Sequence, residues 1–290
     1  MATFAQWVAG ARPRTLPAAL APVVAGSGAA CALHGGRPAR AALALVVSLA
    51  LQVGVNFAND YSDGVRGTDR ERVGPFRLTG SGSARPQAVR AAALASFAVA
   101  AAAGLALVIG CRAWPLLALG AACIAAAWCY TGGRHPYGYR GWGEVAAFLC
   151  FGPVAVLGTT YTQAGRISLP AVCAGLGIGA LTGALLVANN LRDIPTDRIS
   201  GKRTLAVLLG DAGTRRLYLA LLAAAGLAVI PVLPRHAWAW LPLLALPLAL
   251  KPLRAVLGGA AGRELVPVLE RTGQVDLVYG ILFGLALGLG

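Results

Sequence analysis

The sequence predicts an all-α, polytopic membrane protein of about nine transmembrane helices. Three observations carry that reading. Apolar residues make up 57% of the 290 positions and charged residues only 12%, with a mean hydropathy of +0.68. The apolar residues fall in repeated long runs, each approaching the roughly 20 residues that a span requires. Most of the basic residues lie between those runs or at their ends, with Lys251 and Arg254 inside one. A net charge of +14 therefore reads as membrane orientation and attraction for an anionic ligand, and not as a nucleic-acid surface.

Taken in order, residues 1–14 place Phe4, Trp7, Val8 and Ala11 at helical spacing before Arg12 and Arg14. This suits a short interfacial helix, retained and not cleaved, that leads into the first span. Nine apolar runs follow, at 15–33, 41–58, 90–110, 113–131, 143–162, 169–190, 214–233, 236–257 and 274–290. Several are short for a span, so flanking loop residues are expected to extend them. In the sixth, Gly175, Gly179 and Gly183 recur every fourth residue, a small face that lets membrane helices approach closely. No polar stretch is long enough for a soluble domain, so residues 1–290 are expected to form a single intramembrane domain.

Lys and Arg set the orientation. The N-terminus and the loops after spans two, four, six and eight hold most of them; the opposite loops hold Arg37, Arg40, Arg112, Arg166 and Arg235. The N-terminus and the long loops 59–89 and 191–213 are thus expected on the cytoplasmic side of the cell membrane. Cys31, Cys111, Cys123, Cys129, Cys150 and Cys173 lie in or beside apolar runs without CxxC spacing, and His34, His135 and His236 are isolated. Those patterns argue for buried thiols and against a zinc centre.

Chemistry concentrates at two acidic clusters on that one side. The stretch Val55–Asp69 reads VNFANDYSDGVRGTD. At about 100° per residue, Asn56, Asp60 and Asp63 fall within roughly 60° of one another on a helix, with Asn59 beside them and Asp69 in the following loop. Asn190, Asp193 and Asp197 repeat the arrangement at the end of the sixth span, although Pro195 should distort the last turn. Closely packed carboxylates repel unless a cation holds them, and Mg²⁺ favours one or two carboxylates plus a substrate phosphate. Arg192, Arg198, Lys202 and Arg203 are interleaved with the second cluster. Carboxylates with a basic fringe suit a metal-bound polyanion, and beside a membrane cavity the natural candidate is a lipid diphosphate.

These stretches resemble the two aspartate-rich motifs of the UbiA superfamily of intramembrane prenyltransferases. RPRTLP (12–17), NDYSDGVRGTD (59–69), YTGG (130–133), PYGY (136–139), GE (143–144), NNLRDIPTD (189–197) and KRTLAVLLGD (202–211) are similar to its menaquinone-pathway branch. The resemblance covers nearly the whole chain. It implies helices around a central cavity, Mg²⁺ as cofactor, a polyprenyl diphosphate donor taken from membrane lipid, and 1,4-dihydroxy-2-naphthoate as acceptor. Demethylmenaquinone, diphosphate and CO₂ are the implied products. The ubiquinone branch would have an Asp where Gly67 stands; Asp69 is the available substitute, as in the menaquinone branch.

On this reading Asp60, Asp63, Asp193 and Asp197 are the catalytic metal ligands, with Asp69 a further candidate. Asn56, Asn190, Arg192, Arg198, Lys202 and Arg203 would serve the diphosphate. Tyr130 and Arg134 have a YxxxR spacing that resembles a phosphate-side YxxxK element of relatives. Arg14 would meet the acceptor carboxylate, and Tyr139 and Glu144 complete the aromatic-substrate set. A related prenyltransferase with another aromatic acceptor is the alternative. An ion-coupled transporter would spread its charges near mid-membrane, whereas these cluster at one face. A CDP-alcohol phosphotransferase, suggested by DxxDG at Asp60–Gly64, would require Ala-Arg where Gly67 and Thr68 stand.

Overall fold

A computed structural model describes residues 2–67, 76–234 and 236–290. Helix α1 (Phe4–Ala11) starts at a capping box in which Thr3 and Gln6 satisfy each other's backbone N–H. The chain turns at Arg12, φ 55°, passes through a 3₁₀ turn at Pro13–Thr15 and enters α2 (Pro17–Ala32), bent by 50° from the preceding segment. Helices α3 (Pro38–Arg66) and α4 (Pro86–Cys111) follow, then the short α5 (Leu116–Cys129). Pro17, Pro38 and Pro86 each sit in the first turn, where no backbone N–H is needed. A 3₁₀ turn at Tyr137–Arg140 leads to a composite span of α6 (Gly143–Leu149), a π turn at Cys150–Val154 and α7 (Ala155–Ala164). Helices α8 (Leu169–Ile199), α9 (Leu205–Leu227), α10 (Leu250–Leu257) and α11 (Leu265–Gly288) complete the chain, with no strand among the described residues.

The bundle is built around α8. Of its apolar window 78% is buried, against 28–33% for the other four long apolar helices, so α8 is a central post with protein on most sides. Its glycines explain how. A Cβ at Gly152 in the π turn would lie 2.5 Å from the Cα of Gly179, and one at Gly179 would lie 2.6 Å from the Phe148 carbonyl. The small face expected from Gly175 and Gly179 therefore admits the backbone of the composite span, while Gly183 faces Leu221 of α9. Large apolar side chains such as Leu94, Ile109, Leu219 and Leu244 are exposed on the outside, as a lipid-facing surface requires.

Apolar helical segments occupy the positions expected for the nine spans, but they are not nine regular membrane helices. Among the described residues five helices are long and apolar enough to cross a membrane, or six if the bent pair at the N-terminus counts as one span. The shortfall has three causes. Helix α5 has only 14 residues. Residues 236–257 contain Pro242, Pro247 and Pro252, and the resulting loss of backbone donors gives 3₁₀ turns at Leu241–Ala249 before the short α10. Helix α11 is long enough but carries Glu270, Arg271 and the fully buried Asp276, to which Thr182 Oγ1 of α8 donates at 3.3 Å.

Candidate active site

The polar ends of α3 and α8 meet at the mouth of one cavity of about 550 Å³. Its walls carry Asn56, Asn59 and Asp63 from α3, and Asn189, Asn190, Asp193 and Asp197 from α8. Tyr130, Thr131, Tyr137 and Tyr139 line it from the α5–α6 connection. Among the described residues the cations that line it are Arg12, Arg77 and Lys202. Much of the remaining lining is apolar, including Leu51, Leu105, Leu117, Ile124 and Phe151.

Asp63 is the hub. Tyr139 donates its phenol to Oδ1 at 2.5 Å, and Lys202 Nζ lies 3.3 Å from the same oxygen. Arg77 Nη2 lies 3.4 Å from Oδ2. Lys202 also sits 4.6 Å from the centre of the Tyr139 ring, over its face, and its backbone N–H donates to the Asp197 carbonyl at 2.8 Å. One lysine thus ties the second acidic cluster to the first. On the α8 side, Arg192 forks onto both Asp193 oxygens at 2.8 and 2.9 Å and reaches Asn189 Oδ1 at 2.8 Å. Thr204 Oγ1 is 3.4 Å from Asp197.

Asp60 shares the buried end of α3 but does not line the cavity. It accepts the backbone N–H groups of Leu78 and Thr79 at 2.7 and 2.9 Å, which fixes the returning segment that carries Arg77. Gly64 makes room for that segment, since a Cβ there would meet Thr79 Cγ2 at 2.4 Å. Asn56 lines the cavity, yet its amide donates to the Ala11 carbonyl at 2.9 Å and to Thr15 Oγ1 at 3.0 Å. Its task is to anchor the N-terminal turn. Asn59 instead accepts from Thr131 Oγ1 at 2.7 Å, and Arg66 donates to the carbonyls of Thr131 and Gly133, so the YTGG loop is clamped to α3.

Asn190 donates to Glu144 Oε1 at 2.8 Å, which makes buried Glu144 a strut between α6 and α8. Burial holds the Tyr137 phenol well above its ordinary value, so it stays protonated and donates to the Ala126 carbonyl at 2.9 Å. Arg134, Arg198 and Arg203 are exposed and do not line the cavity. Arg14 is exposed and pairs with Glu270. Asp69 lies outside the described residues.

Arg77, Asn59 and Arg12 are among the cavity residues to which the sequence assigned no role. Asn59 had a signal, because Asn59 and Asp63 are one helical turn apart. For Arg77 there was none, since only the fold of the 76–85 segment brings it 14 residues back to Asp63. Among the described residues no group of three His, Cys, Asp or Glu side chains forms a cage for a metal ion. Each cluster offers one or two carboxylates with amide oxygens beside them. That donor set fits Mg²⁺ held jointly with a substrate phosphate, and not an all-protein site.

The comparisons with known proteins agree with this architecture. The 1,4-dihydroxy-2-naphthoate octaprenyltransferase of Mycobacterium tuberculosis is 56% identical over 100% of this chain and 99% of its own. The protein of that name from Escherichia coli is 37% identical over 98% of this chain and 95% of its own. An apo UbiA homologue from Aeropyrum pernix K1 has the same fold, with a TM-score of 0.70 at 19% identity over 94% of this chain and 98% of that one. A UbiA homologue from Archaeoglobus fulgidus, solved bound to DMAPP and Mg²⁺, gives 0.63 at 16% identity over 98% and 99%. The UbiA prenyltransferase family model matches residues 19–262, and the chain belongs to that family.

Proposed function

We propose that the chain is a Mg²⁺-dependent aromatic prenyltransferase of one intramembrane domain. It moves a polyprenyl group from polyprenyl diphosphate to 1,4-dihydroxy-2-naphthoate, releasing diphosphate and CO₂ and giving demethylmenaquinone. The observation that carries this reading is the convergence of Asp63, Lys202 and Arg77 with Asp193 and Asp197 at the mouth of a cavity with an apolar interior. The full-length likeness to naphthoate octaprenyltransferases supports the acceptor.

Cleavage of an allylic C–O bond separates a carbocation from a diphosphate, so catalysis must stabilise the charge that develops on the leaving group. Asp63, Asp193 and Asp197 are the residues that would hold Mg²⁺, which would supply Lewis-acid stabilisation of the leaving diphosphate. Lys202 and Arg77 neutralise remaining charge on the phosphates, and both are buried, where the interaction is screened less. Arg192 keeps Asp193 oriented. The polyprenyl tail lies along Leu51, Leu105, Leu117 and Ile124, and Phe151 and Tyr130 offer π faces to the cation. The acceptor ring is electron-rich and needs placement more than activation. By the distribution of Lys and Arg, the cavity mouth faces the cytoplasm.

The test is direct. Purified protein is supplied with a labelled polyprenyl diphosphate, Mg²⁺ and either 1,4-dihydroxy-2-naphthoate or 4-hydroxybenzoate, and the products are identified by mass. Prenylated, decarboxylated naphthoate is expected. Prenylated 4-hydroxybenzoate alone would move the protein to another acceptor class.

A further inference from the structure

We propose that Glu144 is a positioning residue for the second acidic cluster: it ends a chain of hydrogen bonds that sets how Asp193 is presented to a metal ion. The inference rests on the function proposed above and adds to it a group from a helix that carries neither cluster. Glu144 stands in the first turn of α6, whereas Asp193 belongs to α8. Gly143, Ala146 and Ala147 of α6 line the cavity, so the chain couples that wall to the carboxylates opposite.

Three side chains join the two ends. Arg192 donates Nε and Nη2 to the two Asp193 oxygens at 2.8 and 2.9 Å, and Nη2 also to Asn189 Oδ1 at 2.8 Å. Asn189 Nδ2 lies 3.4 Å from Asn190 Oδ1, and Asn190 Nδ2 donates to Glu144 Oε1 at 2.8 Å. The direction of the chain follows from its chemistry. An arginine only donates, so Asn189 must turn its oxygen to Arg192 and its nitrogen to Asn190. Asn190 must then show its oxygen to Asn189 and its nitrogen to the far side. A chain that begins at an obligate donor has to end on an acceptor, and Glu144 is that acceptor. Without it the Asn190 amide is free to turn over and set its nitrogen against that of Asn189. Asn189 then turns as well, and Arg192 loses the oxygen that holds its outer nitrogen. Glu144 is buried, and its other oxygen, Oε2, is buried with no hydrogen-bond partner among the described residues. Simple adhesion of α6 to α8 would not require so costly a group, since an apolar pair would serve. A carboxylate oxygen has more than one lone pair, so the Arg192 fork and a cation can share Asp193.

The experiment reads metal affinity directly. Mn²⁺, a paramagnetic stand-in for Mg²⁺, is titrated into purified protein without substrate, and the free ion is followed by electron paramagnetic resonance. Thermal unfolding in detergent is recorded beside it. Glu144→Met, which keeps the volume and removes the acceptor, should weaken Mn²⁺ binding by about 10- to 100-fold, the usual consequence of losing a group that orients a metal ligand. Glu144→Gln still offers an oxygen, although one that can turn away, and should lose an intermediate amount. Arg192→Met cuts the chain next to Asp193, so adding Glu144→Met to it should change Mn²⁺ affinity no further. A Glu144→Met protein that unfolds at a lower temperature yet binds Mn²⁺ as the wild type does is a strut alone, and overturns the proposal. So does a loss that persists in full in the Arg192→Met background. Should Glu144→Met lose its monodisperse peak in detergent, Glu144→Gln decides. A weakening that vanishes in the Arg192→Met background supports the chain, and wild-type affinity or a persistent loss refutes it. A wild type that binds no Mn²⁺ defeats the metal assignment in the proposed function itself, a result separate from all of these.

Discussion

Asp60 and Asp63 are three residues apart on one helix, yet their surroundings give them different work. Asp63 gathers Tyr139, Lys202 and Arg77 at the cavity, whereas Asp60 spends both oxygens on the backbone of Leu78 and Thr79. Asp63→Asn should therefore lower kcat/KM by at least about 10³, or roughly 4 kcal/mol, in the protein that remains folded, a loss larger than any fall in thermal stability explains. Asp60→Asn should show stability loss first, because each hydrogen bond to a charged group contributes about 1.5–3 kcal/mol. Equal catalytic losses at unchanged stability would assign both carboxylates to the metal. Lys202→Ala should raise the donor KM more than the acceptor KM, since its ammonium lies beside Asp63, where the proposed function places the diphosphate. The sequence showed that α3 carries a carboxylate-rich face, and helical periodicity sufficed for that. It did not distinguish Asp60 from Asp63, because the partner that occupies Asp60 arrives only when the 76–85 segment folds back. The same long-range return hid Arg77, and the Glu270 pairing that draws Arg14 outward lies 256 residues away.

At the scale of elements, the apolar runs located the helices, because burial in lipid imposes length and hydrophobicity directly on the sequence. Their ends were less well placed: α3 and α8 run on to Arg66 and Ile199, past the ends expected at 58 and 190, and α9 and α11 begin at Leu205 and Leu265, ahead of the starts expected at 214 and 274. The proline-bearing stretch around 241–252 was less legible. Hydropathy reads composition, while Pro242 and Pro247 act through missing N–H groups and leave 3₁₀ turns in an apolar segment. The glycine period of α8 was informative because it acts locally and its meaning is steric. Gly179→Leu should force the composite span away from α8, where a Cβ already falls 2.6 Å from the Phe148 carbonyl. Overpacking of this kind costs about 1–3 kcal/mol or more, and a thermal shift in detergent would register it. Phe148 is four residues from Glu144, the strut to Asn190, so activity should fall with stability.

For the whole molecule, the decisive property is that two segments distant in sequence line one cavity, which the proposed function assigns to the diphosphate. Removing either carboxylate should disable leaving-group stabilisation, and removing both should add little. The Asp63→Asn/Asp193→Asn double variant is thus expected near the worse single variant, and multiplicative losses would mean separate tasks. Exhaustive chelation should abolish transfer and Mg²⁺ should restore it; undiminished turnover without divalent metal contradicts the mechanism.

The tight seam between α2 and α11 has a consequence for biosynthesis. A Cβ at Gly28 would fall 2.0 Å from the Gly284 carbonyl, and one at Gly280 would fall 2.7 Å from Ala21, so these two backbones pass in contact. Helix α2 leaves the ribosome early and α11 late, which means the early helix waits, through most of translation, for its neighbour. Helix α11 cannot enter lipid at ease on its own either, since Asp276 would face hydrocarbon at a cost of about 2.5–3.5 kcal/mol until α8 shields it. Quality control should therefore read the arrival of α11 as the signal of completion. A chain stopped after Glu264 is expected to insert and then be degraded, and pulse-chase labelling should show a lifetime much shorter than that of the full chain.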